Sequence, residues 1–471
     1  MRLFDTPMIK KLVVLLLLFW CSSLYAQTIR TDVLVIGGSP SGVAAAIQSA
    51  RSKVKTILIE QATLSGQDSG YLKSGFVTVS PGGVGTLENG RNLYSGIWDE
   101  FRKRFRKYHK DEKNSDTPSN SPLNYDSWSG PEILQKMADT VKNLTMYRNV
   151  TFSALKRTNY LWNISIIKEG KIRVISARVV IDATSGSVVA LSIGAICQRL
   201  DSVLNKADSK LYRTSIAMGD GLPWERYNDI TAPADNYPPF TTFCVPMKAV
   251  IAKGADNLLV TEALFSPPES SHSLPRQLSI GQGVGAVAAY CAFFKKTTKN
   301  LNIRLIQIEI MNYKGYLMPI SDITPKDADW RDVQQICATG LIKGVLNFTP
   351  NDPDTSPNGE EFIFKPDSIV TTAEIKPVLT EIYSRAFLWF EKEKLGEKFT
   401  VGNTLSLISD YTLTDPLVLH ARIKIDWKTR YQFKNDFDMN RPITRREFAV
   451  LINRYLNPFA RTVDLNGNLV N

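Results

Sequence analysis

From residue 31 the chain reads TDVLVIGG, an almost unbroken apolar run of the kind that fits a strand covered on both faces. The glycine-rich turn GGSPSG follows, then the small apolar stretch VAAAIQSA, which predicts a helix, and KTILIE, which predicts a second buried strand. Strand, turn, helix and strand in this order make a βαβ unit. Residues 94–110 predict a helix with Phe101, Phe105 and Tyr108 on one face, and PEILQKMADTVKN predicts another, opened by Pro131 with Glu132 beside it. The polar stretch 111–129 between them reads as a loop. Short strand-like runs come next: TMY, VTFSAL, LWNISIIK, KIRVIS and RVVIDAT, with Glu169 and Gly170 as a hairpin turn. NLLV predicts one more buried strand, and IGQGVGAVAAYCA a small-residue helix beginning with Gly281 and Gly283.

The two ends of the chain are patterned differently. Residues 1–26 place Lys10 and Lys11 before the apolar run LVVLLLLFW and then CSSLYAQ, the order of a secretory signal cleaved after Ala26. The run is too short for a permanent membrane span. From about residue 318 a divergent repeat begins, in which IVTTAEI and PITRREF align. Thr371 with Glu374, and Thr444 with Glu447, are capping boxes that open amphipathic helices.

Composition narrows the chemistry. Losing Arg2, Asp5, Lys10 and Lys11 lowers the formal charge from +11 to +9, which favours anionic surroundings such as an acidic glycan or substrate. Nucleic acid is the weaker reading, because the basic run at 101–110 is explained as a solvated helix edge. Cys197, Cys244, Cys291 and Cys337 are widely spaced and signal no metal or redox pair, and their pairing stays open. The three histidines, His109, His272 and His420, lie far apart, so no metal site is expected.

The βαβ unit carries the candidate chemistry. Gly37 and Gly38 allow a tight turn, Gly42 lets helix and strand pack closely, and the helix start offers N–H groups to a pyrophosphate. Ser39 takes the position where glycine is usual, and its small Cβ is accommodated if φ is negative. Glu60 closes the second strand, where a carboxylate accepts hydrogen bonds from ribose hydroxyls and disfavours a 2′-phosphate. The alternative is an α/β unit whose glycines serve packing alone.

IGGSPSGVAAAIQSARSKVKTILIE resembles the FAD-binding start of secreted or cell-envelope FAD-dependent oxidoreductases of Bacteroidetes-type bacteria, whose turn often reads GGS or GGT. The resemblance implies an α/β protein with FAD as cofactor. Its Rossmann-like FAD-binding domain of the glutathione-reductase type would span 27–317, with a reduced inserted substrate subdomain at about 70–175. A small, mostly helical domain would follow at 318–471, and that part resembles S-layer homology modules. Implied cofactor contacts are Gly37, Gly38, Ser39, Pro40, Ser41 and Gly42 in the turn, Glu60 and Gln61 at the strand end, and Ser65 and Gly66 in the next loop. The family's DAT-x-G segment matches Asp182, Ala183, Thr184 and Gly186, where Asp182 reads either as catalytic or as a local cap. The family's late strand and glycine helix match Glu262, Gly281, Gln282 and Gly283.

Between that strand and helix, His272 is the candidate proton carrier and Arg276 the candidate anion holder. Two departures from the family stand out. SPPESSHSLPR lacks one histidine, and the stretch after the DAT segment is short, which implies a substrate chamber that is small, open or absent. The implied activity is hydride transfer to flavin N5 from an unidentified, carbohydrate-related substrate. The alternative is a catalytically degenerate binding or structural protein of the cell envelope. The implied partners are a small-molecule or saccharide substrate and an envelope glycan, in a periplasmic or cell-surface location.

Overall fold

Thr28–Ile36 forms β1, in which Val33 to Ile36 are fully buried, as a strand covered on both faces requires. The computed structural model describes residues 28–61, 93, 95–108, 129–200, 210–220, 242–262, 264, 274–348 and 360–470. After β1 come α1 (Pro40–Arg51), β2 (Thr56–Gln61), α2 (Gly96–Tyr108) and α3 (Ser129–Asp139). An antiparallel meander follows: β3 (Leu144–Thr158), β4 (Leu161–Lys168) and β5 (Lys171–Asp182). Then come the short α4 (Val188–Ser192), the antiparallel pair β6 (Ser215–Asp220) and β7 (Thr242–Pro246), and β8 (Leu258–Val260). The long α5 (Leu274–Phe293) and α6 (Ile303–Asn312) close this part.

The parallel ladder runs β3-β2-β1-β5-β8. Ile36 pairs with Ile59 and Asp182, and Asp182 with Val260, so four strands end at one sheet edge. That is the edge where open α/β sheets carry their binding loops. Side chains alternate along β1: Val33 and Val35 face the cluster that holds α1, while Leu34 and Ile36 face the cluster under the meander.

The separate strands expected at TMY and VTFSAL are one strand, β3, and those at KIRVIS and RVVIDAT are β5. Each long strand serves two ladders. β3 leaves β2 and joins β4 at Val150, and Asn149, at φ 53°, bends the chain at that switch. β5 pairs with β4 up to Ala177 and with β8 from Val180. The expected hairpin turn is present, with Glu169 and Gly170 both at positive φ, the pairing a tight two-residue turn needs. In α2, Phe101 and Phe105 are buried and Tyr108 is exposed, and α3 starts at Ser129, so Pro131 is its third residue rather than its first.

The helix expected to begin at Gly281 begins at Leu274. Its glycines mark contacts along the helix, not its end. A Cβ at Gly281 would strike the Ser41 carbonyl, one at Gly285 the Ala45 carbonyl, and one at Gly283 the Ile216 carbonyl of β6. Gly281 and Gly285 thus let α5 lie directly on α1, and Ser49 Oγ donates to the Gly285 carbonyl at 3.0 Å.

The carboxy-terminal part contains α7 (Trp330–Thr339), a hairpin of β9 (Val345–Phe348) and β10 (Glu360–Ile363), and α8 (Thr372–Ile382). These are followed by α9 (Ala386–Lys392), α10 (Val401–Thr412), α11 (Pro416–Thr429) and α12 (Arg445–Tyr455). Its centre is a closed triangle of backbone hydrogen bonds. Val370 N donates to Ile443 O at 3.0 Å, Ile443 N to Phe399 O at 2.9 Å, and Phe399 N to Val370 O at 2.9 Å. Each of these buried residues precedes the threonine that caps a helix: Thr371 for α8, Thr400 for α10 and Thr444 for α12. The repeat read as two copies therefore has a third limb at KFTVGN, where Asn403 stands in for the glutamate of the other two.

Apolar packing is continuous from β1 and α1 to Phe399 and Phe448 at the triangle. Arg213 adds a polar tie: its guanidinium makes two 2.8 Å bonds to Glu381 of α8 and donates to the Thr339 carbonyl at 3.0 Å. Cys197, Cys244, Cys291 and Cys337 are free thiols. Among the described residues no helix is long and apolar enough to cross a membrane. The segment read as a secretory signal lies outside the described residues.

Candidate cofactor site

The turn between β1 and α1 is fixed by steric necessity. Gly37 has φ 114°, and a side chain there would strike the Ala183 carbonyl. A side chain at Gly42 would meet the Gly37 carbonyl and the Ala183 methyl group. Ala183 is held in place by its own N–H, which donates to Ile36 O at 2.8 Å. Gly38 does something different. A Cβ there would lie 3.2 Å from the Glu60 carboxylate, so glycine keeps the space between the turn and the end of β2 clear. Glu60 is buried, with Arg148 Nε 3.8 Å from its carboxylate.

Ser39 has φ −60°, so its side chain is tolerated, and its Oγ caps α1 by accepting from Gly42 N at 3.2 Å. Pro40, which has no N–H, opens the helix. The Ser39 and Ser41 hydroxyls lie 3.0 Å apart, and both reach one group: the Glu262 carboxylate just beyond β8. Ser39 Oγ donates to Glu262 Oε1 at 2.9 Å, and Ser41 Oγ contacts the same oxygen. Thr261 Oγ1 is 2.9 Å from Ser41 Oγ. Burial raises the Glu262 carboxyl above its usual range; the Ser41 and Ser39 hydroxyls oppose this, and the nearby charge of Asp182 adds to it.

Asp182 is fully buried and both its oxygens are engaged locally. Oδ1 accepts from Thr184 N at 3.0 Å and Thr184 Oγ1 at 2.6 Å, while Oδ2 accepts from Ala190 N at 2.8 Å. Thr184 Oγ1 in turn accepts from Val188 N at 3.0 Å. Burial raises the Asp182 carboxyl, against these hydrogen bonds. Of its two readings, this geometry supports the local cap, which holds the loop through Gly186, at φ 71°.

The structure thus brings together Gly37, Gly38, Ser39, Pro40, Ser41, Gly42, Glu60, Ala183 and Glu262, with Gly281 directly behind Ser41. Gln282 is placed elsewhere. Its Oε1 accepts from Ile97 N at 3.1 Å and its Nε2 donates to Tyr313 O at 3.2 Å, so it ties α2 to the end of α6. Gly283 packs on β6, and Arg276 is buried in the first turn of α5. Gln61 ends β2. Ser65, Gly66 and His272 lie outside the described residues. Sequence reasoning missed Thr261 and Arg148. Thr261 was findable as the neighbour of Glu262, whereas nothing local marks Arg148.

These residues fit the adenosine end of FAD: a side-chain-free approach at Gly38, a buried carboxylate at Glu60 for ribose hydroxyls, and a helix start for the diphosphate. Among the described residues, Glu262 is the side chain that stands against the diphosphate. Residues 32–199 match the family described as FAD dependent oxidoreductase. The match runs from within β1 through α4 and supports FAD as the cofactor and a flavin-dependent oxidoreductase as the class. No curated protein matches the chain.

Among solved structures, the rebeccamycin biosynthetic enzyme RebC with reduced flavin aligns over 36% of each chain at 15% identity, with a TM-score of 0.25. The chain thus spans about a third of that enzyme's length. THI4 of Thermovibrio ammonificans aligns over 61% of this chain and 98% of its own, at 16% identity and a TM-score of 0.29. The p-nitrophenol 4-monooxygenase PnpA of Pseudomonas putida DLL-E4 aligns over 66% and 94%, at 10% identity and a TM-score of 0.32. At such TM-scores these likenesses add no weight to a functional reading.

Proposed function

We propose that this protein is an FAD-dependent oxidoreductase of the glutathione-reductase type, acting on a small-molecule or saccharide substrate at the cell envelope. The observation that supports this most is the convergence of the Gly37–Gly42 turn, Glu60 and the start of α1 at one sheet edge. FAD, when bound, supplies a hydride acceptor for an alcohol, amine or C–H donor. The chain's own contribution is binding and orientation. Glu60 would accept hydrogen bonds from the ribose hydroxyls, the start of α1 would hold the diphosphate, and Asp182 fixes the loop beside Gly37. His272 is the proposed proton carrier and Arg276 the proposed anion holder. Secretion through residues 1–26 and glycan attachment through residues 318–471 belong to the same proposal.

Absorbance of the purified protein tests the reading. A yellow protein that takes up FAD and is bleached anaerobically by a donor is the expected result. A colourless protein that takes up no FAD would overturn it. One observation favours a second reading, a binding protein that kept the fold without turnover: the Glu262 carboxylate stands at the helix end a diphosphate needs.

A further inference from the structure

Glu262 reaches α1 from the end of β8, the strand beyond β5 in the same sheet. β8 ends at Val260, paired with Asp182, and Thr261 and Glu262 continue past the sheet edge to the start of α1. The partial positive charge of a helix N-terminus stabilises an anion there. The first turn of α1 brings no charged side chain of its own. Ser39 and Ser41 turn their hydroxyls to the incoming carboxylate, and Gly281 of α5 presses on the Ser41 backbone from behind. A diphosphate requires the same helix end and the same polar hydrogens. Two anions at one helix terminus repel, so the carboxylate and the diphosphate exclude each other.

We infer that Glu262 gates the cofactor site, so that the diphosphate of FAD gains the start of α1 only when this carboxyl is protonated or swung away from Ser39 and Ser41. The inference rests on the FAD reading proposed above. Its sign is fixed by charge: protonation removes the competing anion, so affinity for FAD rises as pH falls. The raised Glu262 carboxyl places that change nearer neutrality than an ordinary glutamate would. Among the described residues, two other carboxylates border the turn. Asp182 of β5 adds negative charge beside Glu262, and Glu60 of β2 lies across Gly38 with Arg148 3.8 Å away.

The test titrates the full chain with FAD between about pH 5.5 and about pH 8.5, following quenching of flavin fluorescence, for wild type, Glu262→Gln and Glu262→Ala. Circular dichroism of each variant reports folding. The expected result is wild-type affinity that weakens by about tenfold across this range, against Glu262→Gln that stays tight throughout. Glu262→Ala, which also removes the carboxylate, should follow Glu262→Gln. If the variants keep the wild-type pH slope, the gate is overturned while FAD binding stands. If no folded variant binds FAD at any pH, the FAD reading itself falls, and the gate with it.

Discussion

Among the described residues four helices start from a hydroxyl cap, yet the caps work in two ways. At the carboxy-terminal triangle the caps are local. Thr444 Oγ1 accepts from Glu447 N at 3.3 Å, and the Glu447 carboxylate accepts from Thr444 N at 3.0 Å. Thr400 and Asn403 repeat this exchange at 3.0 Å in both directions. At α1 the Ser39 hydroxyl reaches Glu262, 223 residues away. A terminus closed by its own neighbours adds stability and leaves little for a ligand. A terminus held by an imported, titratable group can exchange that group for an anion. A helix end closed within its own first turn thus differs from one closed by a distant carboxylate.

The largest effect should come from cutting the tie between the two regions. The Glu381 carboxyl is held down to about 2, mainly by Arg213, whose guanidinium is buried. Glu381→Gln leaves that guanidinium without its counter-charge and should cost about 3 kcal/mol in urea unfolding at neutral pH. Because the carboxyl is depressed, its contribution is present above the ordinary value of 4.5 and lost as pH falls toward about 2. The deficit of the variant should therefore shrink across that window. A deficit that stays constant would locate the loss outside the pair.

Gly281→Val comes next. It forces a branched side chain into the Ser41 carbonyl and should cost about 2 kcal/mol by overpacking. It should also weaken FAD binding, because Ser41 moves with α1, whereas Gly402→Ala beside the triangle should leave FAD binding alone. Equal effects on FAD from both would erase the distinction between the regions.

Local sequence reveals some parts of the molecule and hides others. The β1–α1–β2 unit was legible because burial on both faces leaves an apolar run, and steric necessity leaves glycine at positions 37 and 42. The long strands β3 and β5 were not, because the switch between ladders depends on Asn149 adopting φ 53°, which no alternation records. The start of α5 was misplaced because glycines that admit a neighbouring helix look like glycines at a terminus. The limb at Thr400 was missed because Asn403 makes the capping box there without a carboxylate. Glu262 was found as a candidate, but its approach to Ser39 and Ser41 depends on strand order and leaves no periodic trace.

Within the triangle, Thr444→Val should cost about 1.5 kcal/mol and Thr371→Val about 1 kcal/mol in thermal or urea unfolding. The difference comes from geometry. Glu447 returns to the Thr444 N–H and also pairs with Arg441 at 3.0 Å, whereas Glu374 turns away from its cap to Arg445. A larger loss at Thr371 would show that the half-closed cap matters more than the closed one.

The smallest stability change, about 0.5 kcal/mol, should follow Ser39→Ala, because Ser41 still holds Glu262 at the start of α1. Its value lies in the direction of a second readout. The Ser39 hydroxyl lowers the Glu262 carboxyl, so removing it lets burial raise that carboxyl further. The pH at which FAD affinity weakens should then move upward in Ser39→Ala, while Glu262→Gln removes the transition altogether. An unmoved transition would mean that Ser39 caps α1 as the threonines cap the triangle helices, with no hold on Glu262, and the contrast between the two regions would reduce to Ser41 alone.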